Sequence, residues 1–338
     1  MADQVAVSRL RDRVNLYFHK TAVRESSSKL ALRMLSFFED LVRYAHYETA
    51  EQLIAILRAE GELLYAAHSN EFIIRNMLLV VLRGVRDECL TQTSGSDDTL
   101  PQADSLNHFQ RLWFLPAPNQ VQINSAQLRS GVLDFIKEMK EEINVSAEMI
   151  SNQAGHQLVK TDTVMTYKLS QSGTLKKFFS LFRAKTIYSV DDDPSAPANV
   201  ISSVEILSTM KLTTRVVLSA AAILPDGSVV APAGTLNVCL AAKRHSVPVV
   251  FCAGYYKLTP MFIPHLDEFN VQGRPTDVLP ASEALKFSNV SVANPLFDLI
   301  PAHLITLVLT QSSAKTPLHV YRLISDYYHL EDFRQLDR

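Results

Sequence analysis

No sign of charge dominates this 338-residue chain, in which 33 lysines and arginines face 35 aspartates and glutamates. A global field that would draw nucleic acid or an anionic membrane onto the surface is therefore excluded, and only a local basic patch remains open. Long hydrophobic runs are also missing. The longest in the middle of the N-terminal half, residues 77–82, lies between Arg75 and Arg83 and is far too short to span a bilayer. The start, Met1-Ala2-Asp3-Gln4, lacks the basic and apolar regions of a signal peptide, so a cytoplasmic protein is expected. Cysteine is scarce. Cys89, Cys239 and Cys252 are odd in number and not closely spaced, which argues against a disulfide framework or a zinc site and predicts buried free thiols. Paired histidines at helical spacing, Walker or dinucleotide glycine patterns and a glycine-flanked nucleophile serine are absent too; only Ser172-Gly173 comes near the last. No metal site, no cofactor and no GTP binding by this chain itself are expected.

What remains is ordinary globular composition, 47% hydrophobic and 20% charged, at a length that suits two domains. The first ninety residues read as helices. Leu30, Met34, Phe37, Phe38, Leu41 and Tyr44 share a helical face behind Ser27 and Ser28 as candidate caps. Thr49-Ala50-Glu51-Gln52 forms a capping box ahead of Leu53, Ile54, Ile56, Leu57, Leu63 and Leu64, with Gly61 read as a bend or stop. A third helix runs from about Glu71 to Glu88. Residues 91–118 are rich in Ser, Thr, Asp, Gln and Pro and predict a mobile connection, pinned at 109–115 by an island around Trp113. Val132, Phe135, Ile136, Met139 and Ile143 then continue through Ile150 and Leu158 as a long or bent helix pair.

At Thr163-Val164-Met165-Thr166-Tyr167 the period shortens and the first strand begins. Helix 174–183, strand 186–190, helix 200–210 and strand 215–219 follow. The expected fold class is α/β: a helical N-terminal domain (1–125, including the connection) followed by a Rossmann-like, mostly parallel sheet domain (126–338). Its ligand crevice would lie at the carboxyl ends of the strands.

The C-terminal third carries the most specific pattern. Pro225-Asp226-Gly227 leads to Gly234-Thr235, then to Leu240-Ala241-Ala242-Lys243-Arg244-His245 and Lys257-Leu258-Thr259-Pro260. Further on come Asn294-Pro295-Leu296-Phe297-Asp298, the run 304–309, and an ending with Tyr321-Arg322-Leu323-Ile324-Ser325 and Tyr328-His329. This order of residues resembles the alpha, beta and delta regulatory-subunit family of eukaryotic translation initiation factor 2B, and the tail is most similar to its beta branch. Glu60-Gly61, Glu71, Asn76-Met77 and Val81-Leu82 fall where that family has its helical landmarks. Between 190 and 215 the chain looks short by about one strand, with Asp191-Asp192-Asp193-Pro194 in the gap, read as a solvated turn rather than a metal site.

The same fold is shared by sugar-phosphate isomerases of the ribose-1-phosphate type, which resemble this chain in layout. Their acid/base cysteine aligns with Lys168, their aspartate with Ala221, and an Asn-Lys pair with Ala231 and Pro232. An alanine cannot exchange a proton, so the isomerase pair is lost. Tyr167, Lys168, Ala221, Gly234 and Thr235 then mark a vestigial pocket with no catalytic residue. Gly234 and Thr235 open a helix whose N–H groups either hold an anion or simply allow a tight turn, the simpler reading. Lys243, Arg244 and His245 suit that helix's C-terminus.

The resemblance implies a non-catalytic regulatory subunit of the guanine-nucleotide exchange factor for initiation factor 2. Its partners would be the other exchange-factor subunits (alpha, delta, gamma and epsilon types) and initiation factor 2 itself, chiefly its alpha subunit, whose phosphorylation controls exchange. Tyr321, Tyr327 and Tyr328 are candidate interface anchors. The alternative is a sugar-phosphate isomerase or a ligand-binding descendant of one.

Overall fold

A computed structural model describes residues 9–16, 18, 26–94, 124–182, 184–263, 270–284, 286–287, 290–329 and 331–332. The chain divides into two compact units, Met1–Ser146 with Arg322–Arg338, and Ala147–Tyr321. The line expected at 125/126 thus has its counterpart inside a helix, between Ser146 and Ala147.

The first unit is helical where it is described. Helix α1 (Ser27–Tyr44) buries Leu30, Met34, Phe37, Phe38 and Leu41 on one face as the spacing predicts, while Tyr44 is exposed. Its N-cap position belongs to Ser26, and Ser27 and Ser28 lie inside the helix. Helix α2 (Ala50–Ala67) starts at the expected box: Thr49 Oγ1 accepts from the Gln52 N–H at 3.3 Å, and Gln52 Oε1 accepts from the Glu48 N–H at 2.8 Å. Gly61 does not stop this helix. A Cβ there would run into the Leu78 side chain of α3 (Phe72–Ser94), so glycine lets two helices approach closely. Residues 91–94, expected in the connection, are the last turn of α3; the rest of that connection and the island around Trp113 lie outside the described residues.

Within the same unit, Asp332 is buried between two arginines. Its carboxylate accepts from Arg58 at 2.9 Å and from Arg86 at 2.8 and 3.0 Å. Tyr328 is 2% exposed, so it is a core residue and not the surface anchor expected of it. Tyr327 is half-buried, its carbonyl accepts from Arg83 at 2.9 Å, and its ring lies edge-on to Tyr328.

Helix α4 (Ser125–Asn152) begins in the first unit and ends in the second, followed by the short α5 (Ala154–Gln157). The second unit contains two sheets. The larger has β1 (Thr163–Tyr167), β2 (Thr186–Val190), β3 (Asn199–Ile201), β4 (Arg215–Ser219), β7 (Val249–Cys252), β9 (Leu307–Leu309) and β10 (Ala314–Lys315). Their spatial order is β10-β9-β7-β4-β1-β2-β3. Every neighbouring pair is parallel except β9 with β10. The six parallel strands follow the doubly wound order in which the chain runs outward from β1, returns, and continues on the other side from β4. The gap between β1 and β4 is the switch point. A second, antiparallel sheet is formed by β5 (Ala222–Ile223), β6 (Val229–Pro232) and β8 (Phe297–Ile300), in the order β5-β6-β8.

Parallel strands covered on both faces read as unbroken apolar runs, as Val249 to Cys252, all buried, illustrates. On one face of the sheet Ile150, Leu158, Val164, Leu175, Phe178, Val217, Val250 and Cys252 form a single core with α6 (Gly173–Leu181). Cys239 and Cys252 are buried thiols, and burial pushes both up to about 12; Cys89 is half-buried.

Two expectations about residues 190–215 need correction. The helix expected over 200–210 begins with strand β3, and only Ser203–Glu205 (a 3-10 turn) and α7 (Ile206–Met210) are helical. The strand that the chain looked short of is this β3, paired with β2 through Ser189 and Val200.

Candidate functional site

The crevice expected at the carboxyl ends of the strands is built by the segments that leave β1, β4 and β6. After Tyr167, Lys168 adopts a left-handed conformation (φ 46°, ψ 52°) while its N–H donates to the Val190 carbonyl at 3.1 Å. Such a conformation costs a non-glycine residue about 1–2 kcal/mol, and here it turns the chain sharply from strand to helix. Ser172 then caps α6 by accepting from the Leu175 N–H at 3.3 Å. The Lys168 ammonium stays over the Tyr167 ring, 5.1 Å from its centroid.

The Tyr167 hydroxyl donates to the Ala233 carbonyl at 2.6 Å. Burial, with the charges of Asp191 and Asp298 adding to it, pushes this phenol up to about 12, so it holds its proton at neutral pH. Its oxygen also occupies the space where a side chain at position 234 would begin. Gly234 (φ 99°) is thus required twice, by its backbone angle and by the tyrosine against it.

Helix α8 (Thr235–Arg244) begins at Gly234. An anion would be drawn to this N-terminus by unpaired N–H groups and the helix dipole. The chain supplies that anion itself. Asp298, on β8, accepts from the N–H groups of Gly234 at 2.8 Å and Leu236 at 2.9 Å. The Thr235 hydroxyl, buried, donates back to the Pro232 carbonyl at 2.5 Å. Of the two readings open for Gly234 and Thr235, the tight turn is the one the geometry describes, with a carboxylate as its lock. At the other end of α8, Lys243 and Arg244 lie in the last turn, and the His245 N–H bonds back to the carbonyls of Ala241 and Ala242.

Ala221 follows β4, and its N–H donates to the Val230 carbonyl at 2.8 Å. Its side chain brings no titratable atom to the switch point. Next to it, Lys257 donates to the Ala220 carbonyl at 2.6 Å and is 7% exposed. Burial, only partly countered by Cys252, brings its ammonium down to about 8. The three aspartates after β2 are spent on turns. Asp192 accepts from the Ser189 hydroxyl at 2.6 Å, from the N–H groups of Ser170 and Asp193, and from the Ser170 hydroxyl. Burial alone would raise its pKa, yet these bonds win and hold the carboxyl below its usual range. Asp191 accepts from the Ser203 N–H and Asp193 from Ser195. No group of His, Cys, Asp and Glu among the described residues could hold a metal ion.

The structure therefore brings Tyr167, Gly234 and Thr235 together in one hydrogen-bonded turn, with Lys168 beside them. Asp298 and Lys257 were not expected to matter. The signal for Asp298 is a single carboxylate inside the apolar run Phe297-Asp298-Leu299-Ile300. Tyr321 is 58% exposed.

Fold and site together define a doubly wound protein whose switch-point turns are held by hydrogen bonds within the chain. A model of the Initiation factor 2 subunit family matches residues 23–202 and 196–317, so the chain belongs to that family. It is 28% identical over 221 residues to translation initiation factor eIF2B subunit beta of Dictyostelium discoideum, spanning 61% of this chain and 57% of that protein. The beta subunit of Schizosaccharomyces pombe is 24% identical over 90% of this chain and 92% of its own length. Ribose 1,5-bisphosphate isomerase of Pyrococcus furiosus matches more locally, at 31% identity over 35% of this chain and 37% of that enzyme.

Among solved structures, eIF2B beta of Chaetomium thermophilum superimposes with a TM-score of 0.68 at 20% identity, covering 98% of this chain and 92% of that one. A chain of the tetrameric eIF2B-beta2-delta2 complex from the same organism gives 0.67 at 19% identity, over 97% and 96%. At these identities the structures speak for the fold. No described helix is long and apolar enough to cross a membrane.

Proposed function

We propose that this chain is a non-catalytic, beta-type regulatory subunit of the guanine-nucleotide exchange factor for translation initiation factor 2, acting in the cytoplasm. It assembles with other subunits of the exchange factor, a delta-type chain first among them. In that assembly it helps present initiation factor 2, chiefly its alpha subunit, to the catalytic subunits. The observation that carries the non-catalytic reading is the fate of the crevice. Ala221 offers no proton, Tyr167 keeps its own, and Asp298 satisfies the N–H groups at the opening of α8. General acid/base isomerisation needs two titratable groups held over the same carbons, and this wall has none at Ala221. The family match and the beta-subunit relatives support the assembly. Sensing of the phosphorylated alpha subunit would then be a coupling between binding surfaces, with no bond made or broken.

Isolation of the tagged chain from its own cells, followed by native mass and subunit identification, tests this. Recovery with a delta-type subunit is expected; recovery without any exchange-factor subunit would sink the reading. The isomerase alternative is tested separately with ribose phosphates, where turnover that disappears in Lys168→Ala would overturn the non-catalytic assignment.

A further inference from the structure

The tail of the chain closes over a charged corner of the first, helical unit. Helix α9 (Val320–Tyr327) leads into a turn in which the Asp332 N–H donates to the His329 carbonyl at 3.1 Å. Tyr328 is buried beside this turn, with Ile324 one helical turn before it. Asp332 is buried against Arg58 of α2 and Arg86 of α3, and Arg83 of α3 holds the Tyr327 carbonyl. His329 stands between these contacts along the chain. Its Nδ1 is buried with no hydrogen-bond partner among the described residues. Such a ring is held neutral, because on protonation Nδ1 becomes a buried donor with nothing to receive its proton.

The surrounding charges do not offset that cost. Those that act on the ring are Arg86 and Asp87 from α3 and Glu331 and Asp332 from the tail. Each of the three carboxylates already has an arginine. Asp87 bonds Arg83 at 3.1 Å, Glu331 bonds Arg86 at 3.0 Å, and Asp332 bonds Arg86 at 2.8 Å and Arg58 at 2.9 Å. Tyr328 and Cys89, both pushed up by burial, stay neutral in the same corner. Burial first, and the Arg86 guanidinium second, hold the imidazole below its ordinary 6.5. In a released tail the ring regains that ordinary value. The open form then binds a proton that the closed form refuses, so closure is strongest above 6.5 and is lost as pH falls below it.

We propose that residues 327–332 are a pH-sensitive clasp on the helical unit, closed while the His329 ring is neutral and opened when that ring takes up a proton. Opening withdraws Asp332 from Arg58 and Arg86 and uncovers the Tyr328 ring. Mild acidification thereby changes the surface of α2 and α3 and leaves the sheet folded. The inference concerns the helical unit alone and stands or falls apart from the subunit assignment.

Hydrogen exchange of the full-length protein at pH 7.5, 6.5 and 5.5, corrected for the intrinsic rate at each pH, is the test. All three values lie above the ordinary carboxylate range, so histidine is the side chain that titrates. Protection of the 322–332 peptide should fall about five- to tenfold from pH 7.5 to 5.5, within the limit of about tenfold per pH unit that one proton sets. A peptide over β4 should keep its protection. His329→Gln, with His329→Asn as a second replacement that cannot titrate, should leave tail protection level across the range. Asp332→Asn, which breaks a buried ion pair, should lower it at least about tenfold at every pH. Wild-type tail protection that is the same at pH 5.5 and 7.5 would overturn the proposal. So would an undiminished fall in the variants that cannot titrate, or an Asp332→Asn tail as protected as the wild type.

Discussion

The centre of the large sheet and its edge treat polar and apolar groups in opposite ways. At the switch point between β1 and β4, the hydroxyls of Tyr167 and Thr235, the N–H groups of Gly234 and Leu236 and the ammonium of Lys257 are all bonded within the chain. At β3 and the segment after it, Val204, Leu207 and Leu212 face outward. A crevice that bonds to itself has little left for a substrate, and an edge that exposes leucine and valine has something left for a protein. The difference teaches that polar groups at the strand ends hold the turn together, whereas apolar side chains at the edge remain open to contact.

That contrast breaks most readily at Gly234. Gly234→Ala must place a Cβ against the Tyr167 hydroxyl at a positive φ, and we expect a loss of about 4 kcal/mol in urea unfolding, from left-handed strain and overpacking together. A loss below about 1 kcal/mol would mean that the turn is looser than described.

Lys257 makes the same point through pH. Below about 8 both folded and unfolded chains hold its proton, and burial of the ammonium weakens the fold. Between about 8 and 10.5 the folded protein has released the proton while the unfolded chain retains it, so stability rises with pH across that window. The full gain is on the order of 3 kcal/mol. In Lys257→Met this rise should vanish, as read from denaturation midpoints at pH 7.5 and 9.5. An unchanged slope in the variant would remove Lys257 as its source.

Asp298→Ala leaves the Gly234 and Leu236 N–H groups without their carboxylate and should cost about 2 kcal/mol. If inorganic phosphate restored the variant's melting temperature and left the wild type unaffected, the view of Asp298 as a built-in anion would be sharpened. The smallest effect has the opposite sign. The Thr166 hydroxyl on β1 is buried with no hydrogen-bond partner among the described residues, so Thr166→Val should stabilise the protein by about 1 kcal/mol in thermal melting.

Much of the sheet was legible from local pattern. Thr163–Tyr167, Thr186–Val190 and Arg215–Ser219 are strands with the bounds expected of their β-branched runs. Asn199–Ile201 was not, because three residues show too little alternation to compete with the helical spacing of Ile206 and Met210 beside them. The site divides in the same way. Tyr167, Lys168, Ala221, Gly234 and Thr235 could be named from the sequence as positions, but not the bonds that Tyr167, Gly234 and Thr235 make. Whether Gly234 opens an anion site or a closed turn depends on Asp298, 64 residues further along the chain. The tail shows the converse error: Tyr321 and Tyr328 look equally suited to an interface, yet one is 58% and the other 2% exposed.

From the order of residues alone came the α/β class, the helical beginning, the likeness to the initiation factor 2 subunits and the absence of a proton carrier at Ala221, because these depend on local spacing and residue identity. Tertiary structure alone decided that the helix N-terminus is already occupied, that Tyr328 is core, and that Val204 and Leu207 remain outside. Each of those turns on which distant segments meet, and a hydrogen bond or a buried face exists only once both halves of it are in place.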